Sequence, residues 1–370
     1  MRFESIGSSN GGVDIPNLRI SNRNRDGGFD EKPIIVVLGR QHSGETHSSF
    51  IIHGFLNFLI SKDTLANKLR DKFEFWVMPI VNPDGVIAGN YRCNTQGRDM
   101  NRHFFADDDP EGLKMRLTEV ELVRAYLKER VPKSREGNHL LKMFLDVHAH
   151  SACNSIFAYC PWVDDPGQQS LIRRFPMILD NMSAFFSFDN CKFGNEKYKK
   201  NCARLGVHRD FNLLNSFTIE SSCYGFDVKG AEDQVEQFKE YHFLKFGEHL
   251  AFGIAKHLQC EVTDHDMVSM SYGFDIDLDY GLYMKDSKDT KKSKRRRQRD
   301  LEKASRRKRT TSNLGLREST DSVTGSAASG FGIKGYSRDR DVRIDTRNDH
   351  YSSSRQSTKR GTSLSKAHIS

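Results

Sequence analysis

The stretch PIIVVLGRQHSGETHSSF, residues 33–50, begins with an apolar run, continues through a polar segment and ends where apolar residues begin to recur at helical spacing. Residues 33–39 are apolar and rich in Ile and Val, which predicts a short buried β-strand. Over residues 45–61 the apolar positions recur at close to helical spacing, which predicts an α-helix. A strand that leads through a polar loop into a helix is the building unit of an α/β fold.

The same alternation of strand and helix patterns continues along the chain. We expect further strands at residues 72–80, 142–150, 156–160 and 215–222, and helices at residues 118–130, 168–187 and 231–258. The segment NPDG, residues 82–85, has the composition of a turn. The predicted fold class is therefore α/β, a mixed, mostly parallel twisted sheet with helices on both faces in an α/β/α arrangement. Ligands of such sheets collect beyond the carboxyl ends of the strands.

The net charge of +8 is distributed unevenly along the chain. Residues 281–370 hold 24 Lys and Arg against 10 Asp and Glu, whereas residues 1–280 hold 33 against 39. The strand and helix patterns also stop near residue 280, and the remainder is rich in Ser, Thr, Gly and Arg. We therefore predict four segments: an N-terminal remnant or linker at 1–30, a folded domain at 31–262, a linker at 263–284, and a disordered basic tail at 285–370.

The basic runs of the predicted tail, KKSKRRRQR at 291–299 and RRKR at 306–309, fit several roles. They suit a nuclear-import signal, an arm that contacts polyanions such as acidic protein tails or RNA, or a solubilising segment. No aromatic residue interleaves the densest run, so we do not expect base stacking by that run. A nonspecific electrostatic tether is one expectation, and the alternatives remain open.

The sequence predicts neither a membrane protein nor a secreted one. No uninterrupted apolar stretch approaches the roughly 20 residues needed to span a bilayer. The first residues, MRFESIGSSNGG, lack the apolar core of a secretory signal. The seven Cys include no Cys-x-x-Cys pair, which favours reduced thiols in a cytoplasmic protein over a disulfide framework.

A candidate metal site follows the first predicted strand. His42 and Glu45 stand three residues apart at its exit, and His148 lies at the exit of a later strand in FLDVHAH. Catalytic zinc typically takes three His or carboxylate ligands and keeps one position for water. A short pair plus one distant His fits that pattern, and the His-Glu-x-x-His motif is absent from the sequence. Taken alone, His148 has a simpler interpretation as a hydrogen-bonded core histidine.

Six short motifs in a fixed order give the site a more specific reading. They are His42-x-x-Glu45, NPDGV at 82–86, GNYRC at 89–93, GRDMNR at 97–102, DVHAHS at 146–151 and TIES at 218–221. Together they resemble the zinc metallocarboxypeptidases and, more narrowly, the cytosolic carboxypeptidases that trim glutamate from tubulin. The resemblance covers roughly residues 33–258 and implies that the folded segment is a zinc carboxypeptidase catalytic domain. Members of that family carry a β-sandwich domain just before the catalytic domain, whereas about 30 residues precede the first predicted strand here.

The resemblance implies chemical roles for five residues. His42, Glu45 and His148 match the ligands of one Zn²⁺, Glu220 matches the general base, and Arg92 matches the residue that stabilises the oxyanion. A carboxylate beside the metal can take the proton that water loses. An Arg aimed at a developing oxyanion offsets charge where it appears. Read singly, Glu220 also fits a solvated strand-end charge and Arg92 a surface ion pair.

The resemblance also implies a substrate clamp and a side-chain pocket. Asn101 and Arg102 match the clamp on the terminal carboxylate, which a guanidinium can hold through two parallel hydrogen bonds. Arg204 and Arg209 match basic positions of a pocket that favours an acidic C-terminal residue. The chain has Asn-Cys-Ala-Arg where the family more often has Gly-Thr-x-Arg. Tyr198 is a candidate for a mobile tyrosine that covers the substrate, and a packed or exposed loop tyrosine is the alternative.

The function predicted from these features is zinc-dependent removal of C-terminal glutamate from a polyglutamylated protein, with tubulin as the expected substrate. The expected location is the cytoplasm, with association to cytoskeleton or cilium, or nuclear import through the tail. Two alternatives remain: a carboxypeptidase of different C-terminal specificity, and a non-catalytic binder of microtubules or polyanions on the same scaffold.

Overall fold

The computed structural model describes residues 1–22, 32–134, 136–151, 153–195, 197–231 and 233–260. The predicted linker at 263–284 and the predicted basic tail at 285–370 lie outside these ranges.

An eight-stranded sheet forms the centre of the described chain. Its strands are Arg2–Ser8 (β1), Asp14–Ile20 (β2), Ile34–Gly39 (β3), Glu74–Met78 (β4), Leu141–His150 (β5), Ile156–Cys160 (β6), Lys192–Phe193 (β7) and Ser216–Ser222 (β8). The order across the sheet is β1-β2-β4-β3-β5-β8-β6-β7. The central pairs β4–β3, β3–β5 and β5–β8 are parallel, as is β6–β7, whereas β1–β2, β2–β4 and β6–β8 are antiparallel. The predicted mixed, mostly parallel sheet is confirmed.

Helices cover both faces of this sheet. They are His47–Leu59 (α1), Thr64–Lys72 (α2), Pro83–Ala88 (α3), Pro110–Lys114 (α4), Thr118–Arg130 (α5), Pro166–Met182 (α6), Ala203–Phe211 (α7) and Glu240–His257 (α8). Two short 3₁₀ turns occupy Met100–Arg102 and Lys197–Lys199, and a small hairpin pairs Gly225–Asp227 (β9) with Val235–Gln237 (β10). Among the described residues, no helix has the length and apolar character to cross a membrane.

Strand β3 shows why the sheet needs a helix layer on each side. All six of its residues are buried. Ile35 and Val37 belong to an apolar layer shared with α1, α6 and α8, whereas Ile34, Val36 and Leu38 belong to one shared with α5 and α7. Successive side chains of a strand point to opposite faces, so a continuous apolar run is buried only between two such layers.

Helices α1 and α8 approach each other closely through glycine. A Cβ atom added at Gly54 would lie 1.9 Å from the carbonyl oxygen of Leu244, and one added at Gly247 would lie 2.1 Å from that of Ile51. Neither position has room for a side chain. Because α1 begins two residues after Glu45, this contact also fixes the helix that carries the metal-site loop.

The N-terminal residues differ from the prediction of a remnant or linker over 1–30. Strands β1 and β2 form a hairpin, and β2 extends the main sheet by pairing with β4. Ile15 and Ile20 are buried there. Pro16 and Asn17 interrupt the apolar alternation of this segment, which hides the strand in the sequence.

Two other local predictions were wrong. NPDG is the start of α3, because the side chain of Asn82 accepts a hydrogen bond from the Gly85 amide at 2.9 Å and Pro83 occupies the first turn. The helix expected over 231–258 begins only at Glu240, because residues 235–237 form β10 and Val235 is half exposed.

Candidate active site

The strand order brings three distant residues to one edge of the sheet. His42 follows β3, His148 lies near the carboxyl end of β5, and Glu220 lies on β8. Since β3, β5 and β8 are adjacent and parallel, their carboxyl ends meet at the same edge. His148 and Glu220 are direct register partners.

His42, Glu45 and His148 form a compact set of possible metal ligands. One ligand atom from each lies within 4.8 Å of the others. Nδ1 of His42 is 2.6 Å from Glu45 Oε1, Nδ1 of His148 is 2.8 Å from Glu45 Oε2, and the two Nδ1 atoms are 3.1 Å apart. Two imidazole nitrogens and one carboxylate are ligands that catalytic zinc takes, and three protein ligands leave one position open. The residues present therefore fit one Zn²⁺.

Each histidine is held from behind by a carboxylate. Nε2 of His42 is 3.0 Å from Asp99 Oδ1, and Nε2 of His148 is 2.8 Å from Asp146 Oδ2. A carboxylate at Nε2 keeps the proton there and leaves the Nδ1 lone pair for a metal. Asp146 is fully buried and also accepts a hydrogen bond from Gln41 Nε2 at 2.6 Å.

Sequence reasoning assigned no role to either carboxylate, although both stand in motifs that it used. Asp99 lies in GRDMNR, two residues before Asn101. Asp146 precedes His148 by two residues on β5, so the two side chains share one face of the strand. That period-two spacing was a usable signal for Asp146.

The charges around the ligand set keep its carboxylates ionised. Burial raises the pKa of the Glu45 carboxyl, but attraction and hydrogen bonds from His148 and His42 outweigh it and hold that pKa well below its usual range. Burial likewise raises the pKa of Asp99, but hydrogen bonds and attraction from His42 and Arg92 outweigh burial and hold that pKa below its usual range. Burial lowers the pKa of His148, but Asp146 and Glu45 raise it well above the ordinary value. Metal ligands must be deprotonated at the ligating atom, so metal binding by His148 would compete with protons.

Glu220 has the properties of a proton acceptor near neutral pH. Burial raises its pKa, the charge of Glu45 adds to that effect, and His148 and His42 oppose it, which leaves the pKa at about 7. A bound cation lowers the pKa of a neighbouring carboxyl, so a loaded site favours the ionised form. Such a group can take a proton and return it within one reaction.

Asp99 holds Arg92 beside the ligand set through two of the three guanidinium nitrogens, and the third points toward the ligands. Its Nε and Nη2 contact Asp99 Oδ2 at 2.9 Å and 2.7 Å. Its Nη1 lies 3.2 Å from His42 Nδ1 and 3.7 Å from Glu45 Oε1. The arginine therefore presents positive charge toward the point where the ligand atoms converge.

Asn101 and Arg102 lie on the 3₁₀ turn after Asp99, and both line the same cavity. The amide of Asn101 ties the metal side to α7, because its Nδ2 donates to Asp146 Oδ2 at 3.4 Å and its Oδ1 accepts the Ala203 N–H at 2.7 Å. The guanidinium of Arg102 is held by the Asn101 carbonyl at 2.7 Å and is half buried. Arg102 thus has the more open position of the two.

A cavity of about 260 Å³ opens over this set. Of the residues predicted from sequence, it is lined by His42, Glu45, Arg92, Asn101, Arg102, Arg204 and Glu220. The rest of its lining consists of Gly44, His47, Tyr91, Ala149, His150, Ser151, Tyr159, Lys199, Cys202, Thr218 and Cys223.

Arg204 provides a buried cation in the cavity wall. It lies in the first turn of α7 and is 1% exposed. Its Nη2 donates to the Gly194 carbonyl at 3.0 Å, and its guanidinium carbon lies 5.6 Å from the centroid of the Tyr159 ring. The hydroxyl of Ser216 on β8 donates to the Arg204 carbonyl at 2.7 Å, which fixes the helix end to the sheet.

The structure does not bring Arg209 and Tyr198 into the cavity. Arg209 donates to the Phe104 carbonyl at 2.8 Å and is absent from the cavity lining. It follows Arg204 by five residues, a rotation of roughly 140° about the helix axis, so it points to another side of α7. Tyr198 is 69% exposed and also lies outside the lining.

Comparison with known proteins identifies the family. The sequence profile of the Peptidase_M14 zinc carboxypeptidases matches residues 1–225, which is more than half of the chain. The chain belongs to the zinc carboxypeptidase family. This match confirms the resemblance that the ordered motifs indicated. It also confirms zinc as the cofactor, and the His42–Glu45–His148 set fits one such ion.

Curated relatives within the family share about a third of the aligned residues. Mouse cytosolic carboxypeptidase 2 is 37% identical over 203 residues, which cover 55% of this chain and 22% of the relative. Bovine cytosolic carboxypeptidase 3 is 36% identical over 198 residues, which cover 53% of this chain and 19% of the relative. The chain thus spans about a fifth of the length of these relatives.

Solved structures agree on the fold. The metallo-carboxypeptidase of Burkholderia cenocepacia superposes with a TM-score of 0.57 at 22% identity, covering 70% of this chain and 64% of the other. The metallo-carboxypeptidase of Pseudomonas aeruginosa gives a TM-score of 0.57 at 23% identity, covering 69% and 64%. At these identities the likeness supports the carboxypeptidase-like α/β/α architecture alone.

Proposed function

We propose that this protein is a zinc-dependent carboxypeptidase that hydrolyses C-terminal glutamate residues. The observation that carries the proposal is the buried cation of Arg204 in the same cavity as the His42–Glu45–His148 set and Glu220. A metal-ligand set beside a proton acceptor supports hydrolysis, and a buried guanidinium supports an acidic side chain at the cleaved residue.

The reaction adds water across the last peptide bond. Bound zinc polarises a carbonyl and lowers the pKa of water to about 7. Glu220 accepts the proton that the attacking water loses and passes it to the departing amine as the C–N bond breaks. The guanidinium of Arg92, held by Asp99, stabilises the negative charge that develops on the carbonyl oxygen.

Binding of the chain end makes the enzyme an exopeptidase. Arg102 pairs with the terminal carboxylate, and Asn101 positions that clamp against the metal side. Arg204 pairs with the side chain of the terminal residue. Arg209 and Tyr198 lie outside the cavity lining, and the proposal assigns them no contact with the substrate.

The proposed substrate is a polyglutamylated protein of the cytoplasm, with tubulin as the first candidate. The names of the relatives, cytosolic carboxypeptidases 2 and 3, support a cytosolic location and a carboxypeptidase activity. Residues 281–370 carry 24 Lys and Arg against 10 Asp and Glu, and this excess supports contact with acidic protein tails or other polyanions.

A peptide panel tests the proposal. Zinc-loaded protein is incubated with peptides that differ only in a C-terminal Glu, Asp, Leu or Lys, and released amino acid is quantified. We expect preferential release of Glu, and we expect Glu220→Gln to keep zinc while losing at least a hundredfold in rate. Preference for Asp, Leu or Lys would change the substrate class. Folded, zinc-loaded protein whose release of every residue is as low as that of Glu220→Gln would instead favour a binding protein on this scaffold.

A further inference from the structure

The turn of the N-terminal hairpin encloses the carboxylate of Asp84. Asp84 lies in the first turn of α3 and is 4% exposed. Its Oδ1 accepts from the Ser9 hydroxyl at 2.5 Å, and its Oδ2 accepts from the Gly11 N–H at 2.6 Å. A Cβ atom added at Gly11 would lie 2.7 Å from Asp84 Oδ1, so the turn closes tightly on the carboxylate. Hydrogen bonds that a carboxylate accepts are stronger than those between neutral groups, so these contacts fasten α3 to the turn between β1 and β2.

Helix α3 transmits this anchor to the backbone beside Arg92. Gly85 follows Asp84, and a Cβ atom added there would lie 2.8 Å from the carbonyl oxygen of Cys93. The Asn90 N–H donates to the Gly85 carbonyl at 2.9 Å, and Asn90 Nδ2 donates to the Cys93 carbonyl at 3.0 Å. The chain before and after Arg92 is therefore packed against the helical turn that Asp84 fastens.

The same segment also contacts the metal-site loop. The Gly44 N–H donates to the Tyr91 carbonyl at 2.8 Å, and a Cβ atom added at Gly44 would lie 2.5 Å from that carbonyl oxygen. Asp99 holds the guanidinium of Arg92, whereas α3 and the loop hold its backbone. A shift of α3 would therefore move Arg92 relative to the metal ligands.

We propose that Asp84 is a positioning residue for Arg92. By fastening α3 to the hairpin, it sets the distance between the Arg92 guanidinium and the carbonyl oxygen that gains charge. This inference rests on the proposed function, because it takes Arg92 as the group that stabilises the oxyanion. Such stabilisation requires a donor that is in place before the reaction, and a misplacement of about 1 Å caused by a distant change can cost roughly a hundredfold in rate. The hairpin thus contributes to the reaction, although none of its described residues lines the cavity.

The test compares a mimic of the transition state with a ground-state peptide. Both end in glutamate, and the mimic is a phosphinic peptide, whose tetrahedral phosphorus carries a charged oxygen where the reacting carbonyl would lie. Calorimetry gives the Kd of each in a zinc-loaded Glu220→Gln background, where the peptide stays intact. An interaction made only in the transition state contributes to the affinity of the mimic and not to that of the peptide.

Three variants probe the anchor itself. Asp84→Ala removes both hydrogen bonds to the turn. Asp84→Asn keeps one acceptor for the Gly11 N–H and offers its NH₂ group to Ser9 Oγ, so it should restore the anchor. Ser9→Ala removes only one of the two contacts and provides a milder perturbation if Asp84→Ala does not fold.

Tyr126→Phe is the matched control. The Tyr126 hydroxyl accepts from Asn17 Nδ2 at 2.9 Å, so it anchors the same hairpin to α5 and not to α3. A general loosening of the hairpin would affect this variant as much as Asp84→Ala, whereas loss of the α3 anchor would not.

We expect Asp84→Ala to weaken binding of the phosphinic peptide by about tenfold or more, while the Kd of the intact peptide stays within roughly threefold. Ser9→Ala should act in the same direction and less strongly, and Asp84→Asn and Tyr126→Phe should leave both Kd values near those of the background protein. In an Arg92→Ala background, Asp84→Ala should cost less than about twofold further, because no guanidinium remains to be misplaced.

Four results would overturn the inference: an equal loss for both ligands, an equal effect of Tyr126→Phe, full additivity with Arg92→Ala, or a background protein that binds the phosphinic peptide no more tightly than the intact one. If the expected pattern appears while protein with Glu220 intact hydrolyses none of the peptides, the inference stands and the proposed hydrolysis fails.

Discussion

Replacing Asp146 by Asn tests how strongly the fold prepares His148 for a metal. Asp146 is fully buried, and its Oδ2 lies 2.8 Å from His148 Nε2. The same oxygen accepts from Asn101 Nδ2 at 3.4 Å, and Oδ1 accepts from Gln41 Nε2 at 2.6 Å. The substitution keeps volume and shape but removes the charge and one acceptor.

The asparagine side chain can satisfy its neighbours in two ways, and both weaken zinc binding. If its oxygen faces His148, the histidine keeps the correct tautomer but loses the charge that makes Nδ1 a strong ligand. If its NH₂ group faces His148, Nε2 must accept and the proton moves to Nδ1, where it blocks the metal. Gln41 can rotate to accept from the new amide, because its Oε1 has no partner in the described structure. The fold therefore survives.

The expected loss is tenfold to a hundredfold in zinc affinity, about 1.4–2.7 kcal/mol. The upper half of that range is expected, because Asp146 has no solvent-exposed surface. The assay is competition for zinc with a chelating dye at pH 7.5, with circular dichroism as the test of folding. Asp99→Asn is the comparison, and it should cost less because Asp99 is 22% exposed at the side chain. A folded Asp146→Asn protein with zinc affinity within twofold of the wild type would refute the reasoning.

Three further predictions concern stability and specificity. Gly54→Ala should lower the free energy of unfolding by about 3 kcal/mol in urea titrations, because the new methyl meets the Leu244 carbonyl at 1.9 Å and neither helix backbone can yield locally. Burial lowers the pKa of His249 to about 3 and of His257 to about 4, below the roughly 6.5 of the unfolded chain. As the pH falls, the two histidines therefore become protonated in the unfolded chain before they do so in the folded protein. Their full contribution to the free energy of unfolding is present above pH 6.5 and is lost toward pH 4. We expect a loss of about 2 kcal/mol per histidine between pH 6.5 and 5 in urea titrations. Arg204→Met should lower kcat/KM for Glu-ended peptides by ten- to a hundredfold, because it removes a charge-assisted hydrogen bond, as measured by amino-acid release.

Each of these predictions has a matched control. Gly167→Ala lies in the first turn of α6, where the nearest atom is 3.2 Å away on the Asp165 side chain, and it should leave stability nearly unchanged. His249→Gln removes one titrating group, so the loss of stability between pH 6.5 and 5 should shrink by about 2 kcal/mol; an unchanged pH slope contradicts the assignment. Arg204→Lys keeps the charge without the planar fork, and it should recover only part of the activity.

The sequence allowed the central elements to be placed because their signals are local. Strand β3 was expected at 33–39 and lies at Ile34–Gly39, and α5 was expected at 118–130 and lies there. Apolar runs and helical spacing report burial directly. His42 and Glu45 were predicted as metal ligands because their short motif, which is a weak signal alone, is the first of six ordered motifs that resemble a known family.

The features that sequence reasoning missed depend on which way a side chain points and on contacts between residues far apart in the chain. Whether Arg204 or Arg209 faces the cavity is decided by the rotation of α7, and only Arg204 does so. Asp99 acts on His42 across 57 positions of the chain, a distance that no local pattern encodes. Asp84 was quoted only as part of the NPDGV motif, because its contact with Ser9 across 75 positions is visible only in three dimensions.

The parallel arrangement of β3 beside β5 also bears on how the protein folds. Glu45 and His148 are 103 positions apart, so no short loop can gather the three ligands in an unfolded chain. Closing so long a loop carries a large entropic cost, and the sheet must already join the two strands before the ligands meet. We therefore expect zinc to bind after the sheet has formed, unlike in small zinc domains where the metal drives folding. A chelator should accordingly strip the ion and leave a folded, inactive chain that regains zinc without refolding.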